Sequence, residues 1–343
     1  MLYLTDPDDL TNLLPGEPPF RANQLREWLY ESPVLTTAEM TNLPADLRSA
    51  LGDSPWPFQV EAHQGADGGT TQKWLFRAPD GASIESVLMG YPKRTTLCIS
   101  SQAGCAMACS FCATGQFGFE RHLTAGEIVA QVAYAQAWLG VHPLGNSPRR
   151  VTNVVFMGMG EPLANYTHLR ESLRRMIEVM GMSARSITVS TVGVAPGIRK
   201  LATEPWQVNL AISLHAADDE LREQLVPLNK RYPIAELIDA AHQYFDAKGR
   251  RISIEWTLMD GVNDSLEQAA KLADIAHELA AHVNVIPLNA TPLTKERPST
   301  ESRIEGFLSE LRRFGVNVTL RDTKGSDIDA ACGQLRVRQA SVR

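Results

Sequence analysis

Residues 95–115 read TTLCISSQAGCAMACSFCATG, a short apolar run that leads directly into a loop with three cysteines. The run at 95–100 has the length and the β-branched, nearly continuous apolar character of a buried parallel strand. Runs of the same kind recur at residues 151–157, 186–191, 208–214, 251–259, 282–288 and 316–321. Helical patterns alternate with them, near residues 125–139, 166–180, 196–203, 234–247, 265–280 and 300–313. This alternation predicts an α/β fold with a parallel sheet, and six units plus a last strand indicate an incomplete (βα)6 barrel, since a closed barrel of eight units needs more chain.

Cys105, Cys109 and Cys112 follow the first strand with the spacing C-x3-C-x2-C. Three thiolates on one short loop can hold three irons of a 4Fe–4S cluster, whereas saturating it takes four. The fourth iron is then open to a small molecule, much as an open coordination position marks a catalytic zinc site. A zinc site and three buried thiols are the alternatives, and zinc would need a fourth ligand, for which His122 is the nearest candidate. The spacing resembles the radical S-adenosylmethionine (SAM) superfamily, in which SAM chelates the open iron.

The remainder of the chain divides into parts with different patterns. The stretches 21–30 and 36–51 have helical periodicity, and turn signals separate short strand-like runs in residues 58–94. We therefore expect four segments: a helical N-terminal accessory domain at 1–60, a strand/turn connecting segment at 61–94, the barrel at 95–325 and a C-terminal segment at 326–343.

Composition limits the class of protein. No apolar run reaches 18 residues and the start of the chain does not resemble a signal peptide, so we expect no membrane span and no export. Five cysteines, an odd number with three of them clustered, do not form a secreted disulfide framework. These features predict a monomeric protein of the reducing cytoplasm.

The net charge of −6 arises entirely in residues 1–60, which hold nine acidic and three basic side chains. The rest of the chain has 30 of each sign, and its basic residues form short clusters at 149–150, 174–175, 230–231, 248–251 and 312–313. RNA could bind such clusters, or the basic C-terminal stretch LRVRQASVR. Solvated surface charge explains each single cluster equally well.

Polar residues follow the predicted strands where each of them ends. The carboxyl ends of parallel strands hold the ligands in α/β folds, and glycines allow the backbone to come close to a ligand. A carboxylate at this edge can accept hydrogen bonds from an ammonium group. The candidate residues are Gly160, Glu161, Ser190, Ser213, Leu214, His215 and Asn289. Ser190 or Asn289 taken alone could equally be a turn-capping residue.

Cys332, Cys98 and Glu85 lie outside the cysteine loop. Taken singly, Cys332 could be a small buried residue, Cys98 a core residue of the first strand, and Glu85 a solvent-facing acid. Together with the other motifs they resemble the radical SAM methyltransferases that methylate carbon 2 of adenine in 23S ribosomal RNA and, in dual-specificity members, in transfer RNA. The resemblance covers nearly the whole chain, through RANQLREWLY, IESVL, LCISSQAGCAMACSFCATGQFGF, FMGMGEP, STVGV, AISLHA, IPLN and DIDAACGQL.

The resemblance implies a radical SAM barrel and a role for each candidate residue. The three loop cysteines would bind the 4Fe–4S cluster, and the residues at the strand ends would bind SAM. Cys332 matches the cysteine that carries the methyl group, Cys98 the cysteine that forms a transient disulfide with it, and Glu85 the proton acceptor. The implied partners are 23S rRNA, possible tRNA substrates and an electron donor of the flavodoxin or ferredoxin type.

The chemistry implied by the resemblance suits the target atom. Carbon 2 of adenine is electron-poor and cannot attack the SAM methyl group, whereas a carbon radical can add to it. One SAM would methylate Cys332 and a second would supply a 5′-deoxyadenosyl radical that abstracts hydrogen from the S-methyl group. The methylene radical would add to the base, and attack by Cys98 on the Cys332 sulfur would release the product.

Three alternatives remain open on the sequence. The related antibiotic-resistance enzymes methylate carbon 8 of the same adenine with the same two outlying cysteines. A non-catalytic RNA-binding protein with a structural metal site would leave Cys98, Cys332 and GMGEP without a role. Another radical SAM enzyme, such as a glycyl-radical activase, would not explain DIDAACGQL.

Overall fold

The computed structural model describes residues 1–289, 294–321, 324–330 and 333–335. Its strands are β1 Gln59–Ala66, β2 Thr71–Arg77, β3 Ser83–Tyr91, β4 Arg94–Cys98, β5 Gln102–Gly104, β6 Phe119–His122, β7 Asn153–Phe156, β8 Ile187–Thr191, β9 Asn209–Ser213, β10 Ser253–Leu258, β11 His282–Pro287 and β12 Val318–Leu320. Its α-helices are α1 Phe20–Arg26, α2 Ala45–Leu51, α3 Ala113–Gln116, α4 Ala125–Val141, α5 Tyr166–Arg174, α6 Ala195–Thr203, α7 Asp219–Leu225, α8 Ile234–Lys248, α9 Leu266–Glu278 and α10 Glu301–Arg313. None of these helices has the length and apolarity that a membrane span requires.

The main sheet confirms the predicted α/β fold. Its order in the described residues is β1-β2-β3-β4-β7-β8-β9-β10-β11-β12. The pairs from β4 to β12 are parallel, and helices lie in each of the six connections between those seven strands. The helix after the first parallel strand starts at the predicted capping box, in which Thr124 and Glu127 bond each other's backbone amides. This is the incomplete (βα)6 barrel with a seventh strand.

Residues 59–91 extend the same sheet as an antiparallel meander, β1-β2-β3, beside β4. Side chains alternate between the two faces of a strand. Ser86 faces α4, because its hydroxyl donates to Gln131 of that helix at 2.7 Å. Lys73, Glu85 and Cys98 lie on the opposite face. Lys73 of β2 and Cys98 of β4 both pair with Val87 of β3, so their side chains share its face, and Glu85 shares it because it is two residues before Val87. That face points to the barrel interior.

The N-terminal segment is joined to the barrel by ion pairs and by aromatic packing. Arg174 of α5 lies 3.1 Å from Asp6 and 3.3 Å from Asp8. Arg175 is 5% exposed and donates to the carbonyl of Tyr3 at 3.1 Å. The cluster predicted at 174–175 as a possible RNA contact therefore binds the acidic start of the chain, and these ion pairs offset part of the acidic excess.

The first parallel strand is shorter than predicted. The prediction was 95–100, whereas β4 ends at Cys98. The side chain of Gln131 takes both backbone groups of Ser100: its oxygen accepts the amide at 2.9 Å and its nitrogen donates to the carbonyl at 3.0 Å. Because these groups no longer face a neighbouring strand, the chain leaves the sheet here and turns toward the cysteine loop.

Two helices also differ from the prediction. The helix Asp219–Leu225 was not predicted, because it is short and its apolar content is two leucines one turn apart; the side chain of Asp218 caps its N-terminus. The helix predicted at 166–180 is regular only to Arg174 and continues as a π-helical turn, Arg175–Val179.

Candidate active site

A cavity that is open to solvent at its mouth lies at the carboxyl ends of the parallel strands. Each strand from β7 to β11 contributes to its wall, through Phe156, Ser190, Ser213, Thr257 and Ile286 in turn. In a flat sheet the first and last of these strands would stand roughly 19 Å apart, at about 4.8 Å per strand. Their meeting at one cavity shows that the sheet curls into a partial barrel.

The cysteine loop forms one wall of this cavity. Cys105, Cys109 and Cys112 all line it, and Cys109 is buried. The loop is tightly folded, since Ala108 has a φ of +53° and a Cβ on Gly115 would come within 3.1 Å of the Cys109 amide nitrogen. The sequence therefore brings the three thiols together through local backbone geometry.

Burial disfavours the thiolate forms of two of these cysteines. Burial raises the pKa of Cys105 to about 12, and burial together with the two neighbouring thiols raises the pKa of Cys109 well above its usual range. Thiolates here need a bound cation to stabilise them. Within the described residues no three Cys, His, Asp or Glu side chains lie close enough to share one metal ion. His122, the suggested fourth zinc ligand, instead contacts Gln102 at 3.0 Å.

The GMGEP turn supplies a buried carboxylate beside the cysteines. Glu161 is 2% exposed, and its two oxygens accept the amides of Leu163 at 3.0 Å and Val192 at 2.9 Å. Burial raises the pKa of Glu161 to about 7, although the two hydrogen bonds act in the opposite direction and lower it. Gly160 has a φ of +98° and leaves no room for a Cβ beside Gln102. The turn thus offers a single carboxylate that a ligand ammonium can bind.

The ends of β8 and β9 add hydroxyl and imidazole groups. The hydroxyls of Ser190 and Ser213 are 3.4 Å apart and both residues line the cavity. His215 has a φ of +62°, and its Nδ1 accepts the amide of Thr257 at 2.9 Å. Burial and Arg222 lower the pKa of His215 to about 3, so the ring is neutral with its proton on Nε2.

Two predicted ligand residues contribute differently. The Leu214 side chain is buried in the main core, and its amide donates to the Glu255 carbonyl at 3.1 Å. Its backbone, not its side chain, is what lies at the strand end. Asn289 is half-buried and does not line the cavity, although its neighbour Leu288 does.

The structure also shows polar residues that the sequence interpretation missed. Glu255 lines the cavity at 4% exposure, bonds Asn284 at 2.8 Å and lies 3.6 Å from Arg321. An acid inside the apolar run ISIEWTLM was the available signal. Arg222 is fully buried and donates to the carbonyls of Leu214 and Val192, which tie together the ends of β9 and β8. No local pattern marks it, because its partners are distant along the chain.

Glu85 and Cys98 lie on the interior face of the barrel rather than in the wall of the cavity. Glu85 is 3% exposed and its carboxylate is 3.0 Å from the Lys73 ammonium, so the solvent-facing alternative is wrong. Cys98 is buried on the same face. Cys332 lies outside the described residues, but Gly333, which follows it, lines the cavity and accepts the Ala113 amide at 2.8 Å.

An incomplete barrel whose first strand leads into three cysteines at a ligand cavity defines a radical SAM enzyme. The family model described as the radical SAM superfamily matches residues 99–273, and that of the ribosomal RNA large subunit methyltransferase N-terminal domain matches residues 8–54.

Similar proteins narrow this class. The chain is 49% identical to the probable dual-specificity RNA methyltransferase RlmN of Thermobifida fusca, over 93% of this chain and 89% of that protein. A protein with the same name from Mycolicibacterium paratuberculosis is 50% identical over the same shares. A crystal structure of a radical SAM methyltransferase from Sphaerobacter thermophilus superposes with a TM-score of 0.91, at 47% identity and with 98% of each chain covered. The chain belongs to the RlmN family of radical SAM methyltransferases.

Proposed function

We propose that this protein methylates carbon 2 of an adenine in 23S ribosomal RNA, and in transfer RNA, through a methyl group carried on Cys332. One observation carries the proposal: Gly333, the residue after Cys332, lines the same cavity as the three loop cysteines and Glu161. A carrier thiol must meet SAM at two stages, so its segment has to border the SAM cavity. The family relationship supplies the activity and the dual RNA specificity.

The cavity residues fit the two cofactors that the family uses. Cys105, Cys109 and Cys112 would hold the 4Fe–4S cluster, whose open iron and electron supply a 5′-deoxyadenosyl radical from SAM. Glu161 would bind the ammonium group of SAM and the hydroxyls of Ser190 and Ser213 its polar groups. Gly160, Leu214, His215 and Asn289 complete the proposed contacts, with Leu214 acting through its backbone.

The residues of the interior face would complete the transfer. The radical adduct that joins the base to Cys332 would first lose its unpaired electron to a one-electron acceptor, for which the oxidised cluster would serve, and Glu85 would then accept the proton from carbon 2. The Cys98 thiolate attacks the Cys332 sulfur, so that a disulfide forms while the sulfur–carbon bond breaks. The electron pair of that bond stays with the carbon, which takes up a proton and becomes the methyl group. A thiol reductant then restores both cysteines.

The RNA would approach over the edge of the cavity. Lys295 and Arg297 are both exposed. Glu296 between them accepts the hydroxyl of Ser110, in the cysteine loop, at 2.7 Å. Two cations anchored beside the cysteines can contact phosphates. We further propose that the enzyme acts as a cytoplasmic monomer with a flavodoxin- or ferredoxin-like electron donor, and that its four segments are those expected above.

The other candidate functions are less favoured. The N-terminal family match at residues 8–54 supports the carbon-2 branch over methylation at carbon 8. Relatives named as methyltransferases along almost the whole chain do not favour a non-catalytic RNA-binding protein or a glycyl-radical activase.

The decisive test is anaerobic reconstitution with iron, sulfide, SAM and a reductant, followed by reaction with unmodified 23S rRNA and tRNA. Mass spectrometry of the digested nucleosides should show 2-methyladenosine. Cys332→Ala is the control variant, because it keeps the loop cysteines and lacks the carrier. Formation of 8-methyladenosine would contradict the proposed position, and product from Cys332→Ala would contradict the carrier.

A further inference from the structure

We propose that Lys73 is a positioning residue that holds the Glu85 carboxylate and the chain leading to Cys332 in one fixed arrangement. The inference rests on the proposed function, because it assigns a role to Lys73 in the same reaction. Lys73 is a β2 residue at 6% exposure, with its side chain directed to the barrel interior. Lysine is almost never buried to this extent unless its ammonium is paired.

The Lys73 ammonium has three acceptors around it. Its Nζ is 3.0 Å from Glu85 Oε1, 2.9 Å from the carbonyl oxygen of Asp329 and 3.3 Å from that of Ile328. An ammonium has three N–H donors, so one side chain can bond all three oxygens at once. Bonds from a charged donor are shorter and stronger than neutral ones. Lys73 therefore joins the proposed proton acceptor to a chain segment that contains Asp329, three residues before Cys332.

The same segment, residues 324–330, has further attachments to β2 and to the turn before it. The Gly325 amide donates to Asp67 at 3.1 Å, and Lys324 donates to the Thr70 hydroxyl at 3.4 Å. The segment is also closed on itself, since the Ala330 amide donates to the Gly325 carbonyl at 2.9 Å. Among these contacts, that of the Lys73 ammonium also includes a predicted catalytic group, the Glu85 carboxylate.

The chain beyond Cys332 is attached elsewhere, to the short helix that follows the cysteine loop. The Ala113 amide donates to the Gly333 carbonyl at 2.8 Å, and the Thr114 hydroxyl donates to the Leu335 carbonyl at 2.6 Å. The upstream flank of Cys332 is thus held against Glu85 and the downstream flank against the proposed cluster loop. Loss of Lys73 should release the first flank and leave the second intact.

The first measurement is hydrogen exchange of the purified protein, which needs no turnover. Lys73→Met keeps the apolar stem and removes the ammonium. We expect peptides covering residues 324–330 to exchange about tenfold faster than in the wild type, because two charge-assisted bonds are lost. Peptides of α9 and α10 should not change. Arg77→Met is the matched control: it removes another β2 cation paired across strands, with Glu61 at 2.7 Å, but on the exposed surface.

The second measurement separates the steps of the reaction. With Glu85 displaced, proton removal from the covalent protein–RNA adduct should slow by about tenfold or more, since misplacement of a catalytic group is costly. Lys73→Met should therefore accumulate adduct on a denaturing gel while it still methylates Cys332 and cleaves SAM. A purely structural defect would lower adduct turnover, Cys332 methylation and SAM cleavage in proportion. Lys73→Arg, which keeps the cation, should restore part of the adduct turnover.

Glu85 would lose its buried counter-ion in Lys73→Met, and this loss could prevent folding. The pair of variants Glu85→Gln and Lys73→Met/Glu85→Gln avoids that charge, and the double variant should show the faster exchange at residues 324–330 relative to the single one. Equal exchange in that pair overturns the inference, as does an adduct lifetime in Lys73→Met equal to that of Arg77→Met. Absence of methylated adenine from the wild type would contradict the proposed function, whereas the exchange result would still decide the anchoring role of Lys73.

Discussion

Replacing Arg222 by Met should weaken both the fold and the SAM site, because this one guanidinium holds two strand ends together. Its nitrogens donate to the Leu214 carbonyl at 3.0 Å, the Asn229 side chain at 2.7 Å and the Val192 carbonyl at 2.5 Å. Leu214 follows β9 and Val192 follows β8, one residue after Ser213 and two after Ser190 respectively. Burial lowers the pKa of Arg222 to about 10, so the group remains charged at neutral pH.

The size of the effect follows from these contacts. Hydrogen bonds to a charged group contribute about 1.5–3 kcal/mol each, and breaking a buried charged network by removing one member costs about 3–5 kcal/mol. Met fills much of the space but leaves two buried carbonyls without a donor. We expect the free energy of unfolding to fall by about 3 kcal/mol, which for a chain of this length lowers Tm by about 4 °C. SAM affinity should fall by about tenfold, because the hydroxyls of β8 and β9 are no longer fixed.

The assays are urea unfolding followed by circular dichroism and equilibrium binding of SAM to the reconstituted protein. Arg199→Met serves as the control, since Arg199 forms ion pairs with Glu236 and Asp239 on the partly exposed surface of α6, and such pairs contribute less than about 1 kcal/mol. Arg222→Lys keeps the charge but cannot reach three acceptors, so it should fall between wild type and Met. Wild-type SAM affinity in folded Arg222→Met would refute the positioning argument even if stability fell.

Burial raises the pKa of Glu161 to about 7 from 4.5, so the native state binds more protons than the unfolded state between these two pH values. The free energy of unfolding of the cluster-free protein should therefore fall by about 3 kcal/mol as pH rises from 4.5 to about 7. Glu161→Gln should remove that pH dependence. SAM binding should strengthen over the same pH window, because the Glu161 carboxylate forms there. Isothermal titration calorimetry at several pH values tests this, and a SAM affinity that falls as pH rises would contradict it. Replacing any one cysteine of the loop by Ala should abolish SAM cleavage, and a triple variant that still held about four irons by chemical assay would contradict the cluster assignment. Cys98→Ala should stop after addition to the base and leave a covalent adduct on a denaturing gel, absent from the Cys98, Cys332 double variant; normal turnover without an adduct would return Cys98 to a core role.

The features predictable from the sequence are those written in local patterns. Seven parallel strands could be found because buried strands are continuous apolar runs, and the helix after β4 because Thr124 and Glu127 form a capping box. The cysteine loop could be found because its three cysteines fall within a span of eight residues. Each of these signals lies within a single element, so no tertiary information is needed to see it.

The features that escaped prediction depend on partners far apart in the chain. Arg222 looks like an ordinary helix cation until its acceptors after β8 and β9 are known. Lys73 and Glu85 are close in sequence, but the carbonyls that complete their site lie more than 250 residues further on. The strand β4 ends early because Gln131, on the next helix, binds Ser100. Long-range hydrogen bonds of buried polar groups are a property of the tertiary fold, so sequence periodicity does not predict them.

The charge distribution reconciles an acidic protein with an RNA substrate. RNA affinity depends on the cations that lie along the phosphate path, not on the net charge of −6. Asp6 is paired with Arg174 and Arg175, and Asp8 with Arg174, so this part of the acidic N-terminal excess repels phosphates less than the sequence indicates. Lys295 and Arg297, by contrast, are exposed next to a residue that bonds the cysteine loop. Phosphate contacts at this edge can orient the RNA, whereas base contacts in the cavity would select the adenine.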